Sequence, residues 1–267
     1  MLVDTHCHLN FEAFDDDRQA VLERARQAGV ERILNPGIDL PSSRAAVQLA
    51  ERYPQVYAAV GVHPNEALSW TDETLQELRE LAKHPKVVAI GEIGLDYYRD
   101  RAPQDEQRAI FSRQLLLAAE FDKPVIIHNR EATEDVLKIL TDWQMELVGG
   151  SPLLAQLPGV LHSFSYGEDA AREALRLNFF LGFTGPVTFR NAPDLQKLVS
   201  DLPLEKVLVE TDAPFLTPHP HRGKRNEPAY VRLVAEKIAE LHGLPFEIVA
   251  NITSENAERL FRWQITE

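Results

Sequence analysis

Two histidines stand one residue apart at the beginning of the chain, in the segment MLVDTHCHLN. Residues i and i+2 of an extended strand point to the same face, so His6 and His8 can hold one metal ion between them. Cys7 then points to the opposite face, where we expect a small buried thiol and not a ligand. Asp4 shares the face of the histidines, and both a supporting role behind them and a purely structural role are open to it.

Five further histidine or carboxylate residues stand where other apolar runs of the sequence end. A buried histidine is usually a core residue with both nitrogens satisfied, and at any single position that explanation is at least as good as metal binding. Independent core histidines, however, have no reason to occupy the same end of every run. The shared placement therefore favours one site. The five residues are His63, Glu92, His128, His162 and Asp212.

The combined set contains five imidazoles and two carboxylates. This exceeds the three protein ligands of a typical catalytic zinc site and suits two ions bridged by a carboxylate. Glu92, in the middle of the set, is the best candidate for the bridge. Such ligands favour zinc, manganese or iron over calcium, and magnesium also stays open. We therefore expect two divalent metal ions, whose identity the sequence does not determine.

The elements that would bring these residues together follow from the hydrophobic pattern. Eight short apolar runs alternate with amphipathic segments, several of which begin with Asp, Ser or Thr as helix caps. Continuous apolar runs are typical of parallel strands buried on both faces. Eight strand and helix units predict an α/β fold, the (β/α)8 TIM barrel, with its site at the C-terminal strand ends; a doubly wound open sheet is the alternative. The predicted strands are LVDTH, RILNPG, VYAAVGVHP, KVVAIGEIG, PVIIHNR, GVLHSF, NFFLGFTG and KVLVETDAP.

The remaining segments predict two C-terminal helices and one irregular stretch. After the eighth strand, EPAYVRLVAEKIAELHG predicts the last barrel helix and PFEIVANITSENAERLFRW an additional C-terminal helix. Residues 143–159, WQMELVGGSPLLAQLPG, interrupt the pattern, and we expect a long loop or a short insertion there. No second domain is indicated, so residues 1–267 are predicted to form a single domain.

A basic cluster follows the eighth predicted strand, in TPHPHRGKRNEPAY. Loops after the last two strands of a TIM barrel often hold phosphate. Here His221, Arg222, Lys224 and Arg225 put positive charge close to Asp212. A solvated surface loop is the alternative, since charge runs usually are that. The position beside the expected metal ions favours substrate binding.

Composition limits the classes of function. Hydrophobic residues make up 44% of the chain and charged residues 26%, which is typical of a globular protein. The net charge of −13 disfavours a protein that coats DNA, although a pocket can still capture one or two phosphates. No apolar stretch reaches the roughly 20 residues of a membrane helix, and a single cysteine agrees with a reducing compartment. We therefore expect a cytoplasmic protein, monomeric by default.

Seven segments, in this order, resemble the TatD family of metal-dependent deoxyribonucleases within the amidohydrolase superfamily. They run from the first residues of the chain to nearly the last. The resemblance implies a TIM barrel with two or more divalent ions that hydrolyses phosphodiester bonds in nucleic acid, with DNA the expected substrate and an exonuclease the expected type. The segments are DTHCHLN, GVHPNEA, GEIGLDYYRD, VIIHNREA, GFTGPVTF, ETDAPFLTPHPHRGKRNEP and ITSENAERLF.

The resemblance also implies roles for single residues. His63 and Arg130 are similar to residues near the substrate phosphate. Glu92 and Asp212 are the expected catalytic residues, with Asp212 orienting or deprotonating a water activated by the ions. The ligand positions of the family match His6, His8, Glu92 and Asp212 for one ion, and Glu92, His128 and His162 for the other.

Two other classes of function stay open. Relatives in the superfamily cleave amides, esters and lactones, so the same site could serve a D-aminoacyl-tRNA deacylase or another metal-dependent ester or amide hydrolase. A metal-stabilised scaffold without turnover is less well supported, because structural zinc sites are closed and usually contain cysteine. For stacking of single-stranded bases only Tyr97, Tyr98 and Phe164 stand out, and packing explains each of them equally well.

Overall fold

Eight parallel strands form one sheet in the computed structural model, which describes residues 1–99 and 101–263. The strands are β1 (Leu2–Asp4), β2 (Val30–Pro36), β3 (Val56–Val60), β4 (Val87–Asp96), β5 (Val125–Arg130), β6 (Gly159–Leu161), β7 (Phe180–Phe183) and β8 (Val207–Val209). They lie in sequence order, and β1 meets β8 where Thr5 N donates to Val209 O at 3.2 Å. Cys7 and Ala213 continue this contact as a parallel bridge. The predicted TIM barrel is confirmed, because consecutive strand order and near closure exclude the open doubly wound sheet.

Helices cover the outside of the barrel and lead from each strand to the next. Polar caps begin two of them: the Asp39 carboxylate accepts from Ser42 N at 2.7 Å, and the Thr71 hydroxyl accepts from Thr74 N at 3.2 Å. The helices are α1 (Arg18–Gln27), α2 (Leu40–Arg52), α3 (Asp72–Ala82), α4 (Gln104–Glu120), α5 (Thr133–Gly150), α6 (Pro152–Gln156), α7 (Glu168–Arg176), α8 (Pro193–Asp201), α9 (Val231–His242) and α10 (Phe246–Phe261).

The additional C-terminal helix, α10, is confirmed and covers the N-terminal end of the barrel. Asn256 Nδ2 donates to Val207 O at 2.9 Å, at the start of β8, and Ser254 Oγ contacts Met1 O at 3.2 Å. Leu260 and Trp263 are buried against the apolar side chains that fill the barrel interior. Since this end is sealed by packing, the opposite end is left for a site.

Of the two expectations for residues 143–159, the long loop is wrong, while the short helix α6 between α5 and β6 agrees with a short insertion. Helix α5 continues to Gly150, and the short helix α6 follows directly. Trp143 and Leu147, one helical turn apart, are both buried in the core. Gly149 and Gly150 end α5, and Pro152 occupies the first turn of α6, where its missing N–H costs nothing.

Apolar side chains form two layers around the strands. One layer fills the barrel interior, and the other lies between the strands and the surrounding helices. Among the described residues, we find no helix with both the length and the apolar character needed to cross a bilayer.

Candidate metal centre

The residues predicted to bind metal meet at the C-terminal mouth of the barrel. Six of the seven line one cavity of about 650 Å³, while His6 is fully buried. Cys7, as predicted, is a buried free thiol, and burial raises its pKa well above the usual value. In the fold His6 and His8 follow β1, His63 follows β3, Glu92 lies in β4, His128 lies in β5, His162 follows β6 and Asp212 follows β8.

Four of these residues, which we call the first ligand group, are His6, His8, Glu92 and Asp212. His6 Nε2 lies 3.2 Å from His8 Nε2, 3.3 Å from Glu92 Oε2 and 3.8 Å from Asp212 Oδ1. His8 Nε2 lies 3.7 Å from Glu92 Oε2 and 3.4 Å from Asp212 Oδ1. Ligand atoms held about 2.1 Å from one ion in a tetrahedron lie about 3.4 Å apart. The four side chains therefore fit a divalent cation.

The protonation states of the first ligand group suit a cation as well. Burial alone would raise the pKa of Glu92, but the imidazoles of His6 and His128 lower it well below its usual range. Burial opposes ionisation of Asp212 too, yet the contact with His8 lowers its pKa. Burial lowers the pKa of His6, which keeps that ring neutral. Neutral imidazoles beside carboxylates are the forms that bind metal.

The second ligand group is the set that the family resemblance implies, Glu92, His128 and His162; in the structure His128 lies close to Glu92 and His63, and His162 close to Glu92 and His6. Glu92 Oε2 faces the first group, while Glu92 Oε1 accepts from His128 Nδ1 at 2.8 Å. The carboxylate thus presents one oxygen to each side, the arrangement expected of a bridge. Asp96 Oδ2 lies 3.4 Å from the other nitrogen of His128, Nε2. Although burial disfavours a charged ring, these two carboxylates raise the pKa of His128.

His162 is oriented by a buried carboxylate that sequence reasoning missed. Glu210 Oε2 accepts from His162 Nδ1 at 2.8 Å and from Ser163 N at 3.0 Å. Against the effect of burial, Glu210 raises the pKa of His162 to about 9. With Nδ1 so engaged, Nε2 points to the centre and lies 3.9 Å from Asp212 Oδ1. Gly182 makes room for this carboxylate, since an added Cβ would collide with it.

His63 also lies beside the ligand groups, but its Nε2, which is the nitrogen that points to Glu92, carries a proton. Its Nδ1 accepts from Asn65 N at 3.0 Å, and burial lowers the pKa of the ring to about 3. A neutral ring whose Nδ1 accepts must carry its proton on Nε2. That nitrogen lies 3.8 Å from Glu92 Oε1. His63 is thus arranged to donate a hydrogen bond into the cavity.

Asp4 lies behind the centre, where it joins the ends of β1 and β8. Its carboxylate accepts from Thr211 N at 2.9 Å, from Thr211 Oγ1 at 2.6 Å and from His6 N at 3.3 Å. Burial raises the pKa of Asp4 to about 8. Asp4 therefore fixes the backbone on both sides of the first ligand group.

Two of the basic side chains in the loop after β8 contact other protein side chains. Arg225 forms two hydrogen bonds to Asp17, of 2.7 and 2.8 Å, across the sequence to the start of α1. The Arg222 guanidinium lies 4.0 Å from the Phe189 ring centre. Within the described chain, none of the predicted substrate-binding residues of this loop lines the cavity; these are His221, Arg222 and Lys224. Their part in substrate binding stays a prediction.

Other basic and aromatic residues line the cavity instead. Arg130, which was predicted near the phosphate, does line it and lies over the Tyr98 ring at 3.9 Å. Arg99 and Arg101, in the loop after β4, join it there and were not singled out from the sequence. Phe164 is 2% exposed and is a packing residue.

Two carboxylates that orient the predicted ligands, Glu210 and Asp96, were not predicted, although the sequence around them gives some indication of their position. Glu210 stands two residues before Asp212 at the end of β8, so an extended chain turns both to one face. Asp96 stands two residues before Tyr98 in the segment GEIGLDYYRD, and its Oδ1 accepts from Tyr98 N at 3.1 Å. Neither was recognised, because ligand counting ignores the groups that orient ligands.

Comparisons with known proteins agree with this geometry. A family model described as TatD related DNase matches residues 3–262. The uncharacterized metal-dependent hydrolase YabD of Bacillus subtilis is 50% identical over 98% of this chain and 99% of its own length. A 3'-5' ssDNA/RNA exonuclease TatD of Pectobacterium parmentieri is 37% identical, over 98% of this chain and 99% of that protein. The crystal structure of YJJV, a TatD homologue from Escherichia coli, matches with a TM-score of 0.90 and 33% identity, covering 98% of both chains.

The match therefore spans the barrel from its first strand to its last helix. It includes the strand ends that carry both ligand groups. The protein is a metal-dependent hydrolase, and the chain belongs to the TatD family.

Proposed function

We propose that this chain, a single domain, is an exonuclease-type hydrolase that uses two divalent ions to cleave phosphodiester bonds in nucleic acid, with DNA the preferred substrate. The observation that carries the proposal is Glu92, which presents one oxygen to each of two ligand groups beside a cavity lined by arginines. The exonuclease name of the Pectobacterium relative supports it. The monomeric state and the cytoplasmic location stay predictions.

The two ligand groups divide the metal binding. The first group would hold one ion and the second group the other, with zinc, manganese, magnesium and iron the candidates. Ions bound there supply Lewis-acid polarisation of the phosphate and lower the pKa of a coordinated water. This division follows the ligand positions that the family resemblance implies: His6, His8, Glu92 and Asp212 for the first ion, and Glu92, His128 and His162 for the second. In the structure the ligand atoms lie within 4.8 Å of one another in three sets, which are His6, His8 and Asp212; His6, Glu92 and His162; and His63, Glu92 and His128.

Asp212 is the proposed proton acceptor. Its lowered pKa keeps it ionised at neutral pH, and it lines the cavity after β8. As the water oxygen bonds to phosphorus, one water proton passes to Asp212, and the phosphorus bond to the leaving sugar oxygen breaks. That oxygen then takes up a proton. Asp212 thus acts as a general base, while Glu92 holds both ligand groups in place.

His63 and Arg130 are the proposed phosphate contacts. His63 presents an Nε2 proton to the cavity, and Arg130 offers a guanidinium that can bind two phosphate oxygens at once. In a chain with a net charge of −13, these local donors offset the repulsion of a polyanion.

The test is release of nucleotides from a 3'-labelled single-stranded DNA oligomer with added manganese, wild type beside Glu92→Gln. Stepwise shortening that disappears in the variant is the expected result. D-aminoacyl-tRNA serves as a parallel substrate. Intact DNA together with deacylated tRNA would reject the nuclease and move the same site to ester hydrolysis.

A further inference from the structure

The cavity above the ligand groups has two chemically different walls. Its apolar wall comes from segments that follow β8 and β1, and its basic wall from segments at the ends of β4 and β5. In an eight-stranded barrel these pairs of strands lie on opposite sides. The apolar wall consists of Phe11, Phe215 and Leu216, and the basic wall of Arg99, Arg101 and Arg130.

The apolar wall presents an aromatic ring to solvent at a fixed position. Phe215 is 52% exposed and Leu216 is 37% exposed. The backbone holds Phe215 in place, since Phe215 N donates to Asp212 O at 2.8 Å and Asn226 Nδ2 donates to Phe215 O at 2.6 Å. Phe11 supports the ring edge to face, with 6.1 Å between ring centres. A large apolar surface next to the reacting groups suits a planar ligand.

The basic wall carries charge that is free to meet an anion. Among the residues that the structure describes, neither Arg99 nor Arg130 forms an ion pair, whereas Arg101 forms a long, exposed one with Glu66, of 3.7 Å. The guanidinium of Arg130 lies 3.9 Å from the centre of the Tyr98 ring, and a cation–π contact does not use its N–H donors, which can bind phosphate oxygens. This wall therefore suits the phosphates of a polynucleotide.

We propose that Phe215 is the platform on which a base next to the cleaved bond stacks, while the backbone of that strand runs along the basic wall. This inference rests on the nuclease function proposed above and adds the residue that would receive an unpaired base, in line with the ssDNA/RNA exonuclease name of the Pectobacterium relative. A paired base cannot offer its face to Phe215 without leaving its neighbours. The cavity of about 650 Å³ is also of small-molecule size, which suits one or two nucleotides.

The test combines variants of Phe215 with substrates that lack a base. Thymine oligomers are compared with oligomers whose two nucleotides at the degraded end are abasic. On the normal oligomer Phe215→Ala should raise KM roughly 5- to 150-fold, the range of one base–aromatic stack, with little change in kcat. Phe215→Trp should stay near wild type. On the abasic oligomer Phe215→Ala and wild type should be equal.

The controls separate the possible failures. Leu116→Ala removes a side chain that is 59% exposed on α4, away from the cavity, and should leave KM unchanged. An equal loss on normal and abasic oligomers would assign Phe215 a structural role and overturn the inference while the nuclease stands. A wild type that cleaves neither oligomer would instead reject the proposed function, and the platform with it.

Discussion

The two ligand groups share Glu92 but differ in what an entering ion must displace. In the first group the ligand atoms stand 3.2 to 3.8 Å apart, close to the edges of a tetrahedron around one ion. In the second group His128 already donates to Glu92 Oε1 at 2.8 Å, with Asp96 Oδ2 3.4 Å from its other nitrogen. An ion entering there must replace a charge-assisted hydrogen bond.

The difference shows that having suitable ligand side chains and having them already arranged around a metal position are separate properties. Both groups have suitable side chains, but the contacts within the first group are long, at 3.2 to 3.8 Å, whereas the second group contains a short hydrogen bond of 2.8 Å between His128 and Glu92. Replacing a hydrogen bond to a charged group costs about 1.5–3 kcal/mol. We therefore expect the first group to bind its ion at least about 10-fold more tightly than the second.

The largest effect is expected for Glu92→Gln, since this residue belongs to both groups. Loss of the bridge should lower kcat/KM on single-stranded DNA by at least about 1,000-fold, because metal ions contribute several kcal/mol to the transition state. The fold should persist, as glutamine has the same shape. Glu247→Gln, at an exposed position on α10, is the matched control and should keep full activity. Retained activity in the Glu92 variant would show that hydrolysis does not depend on a carboxylate shared by the two ligand groups.

His8→Gln and His128→Gln test the groups one at a time. Each should lower kcat/KM by about 100-fold, since each removes one ligand from one of the two ions. Calorimetric titration with manganese should find the tight site missing in the His8 variant and the weak site missing in the His128 variant. If both variants lost the same site, the division into two groups would be wrong.

Glu210→Gln tests how far the second ligand group depends on the carboxylate that orients His162. The glutamine keeps the volume of a fully buried side chain but loses the charge that orients His162. The affinity for the second ion, or the activity that depends on it, should fall about 10- to 100-fold, because this is the usual effect of removing a group that hydrogen-bonds a metal ligand. The first ion should bind as in wild type. An unchanged second site would show that His162 needs no carboxylate behind it.

Arg225→Gln should have the smallest effect. Its ion pair with Asp17 ties the loop after β8, which follows Asp212, to the start of α1. A partly exposed pair contributes about 1 kcal/mol or less, so thermal melting should shift by only a few degrees and kcat/KM on DNA should change less than about threefold. Asp17→Asn also loses a contact with Arg24 at 3.2 Å, so the shared ion pair is measured by the double variant, which should lose less stability than the two single variants added together. A large drop in DNA affinity alone would instead return the loop to phosphate binding.

Much of the fold followed from local pattern. Continuous apolar runs predicted eight parallel strands, and the polar residues at the ends of six of these runs meet at one mouth of the barrel. The rest depends on distant residues or on packing. Arg225 is paired with Asp17, which is 208 residues away, so the run of basic residues alone does not reveal this ion pair. Glu210 was missed because its partner, His162, is 48 residues away. The long loop expected within residues 143–159 is helical instead, because Trp143 and Leu147 are buried in the core.

The central claim is that hydrolysis requires an ion in both groups. The most direct measurement is stepwise titration of the metal-free protein with manganese, with bound ions and cleavage of single-stranded DNA followed in the same samples. We predict two unequal binding steps, with activity rising only as the weaker second step fills. Full activity after one ion per chain, with the second step silent or absent, would contradict the account.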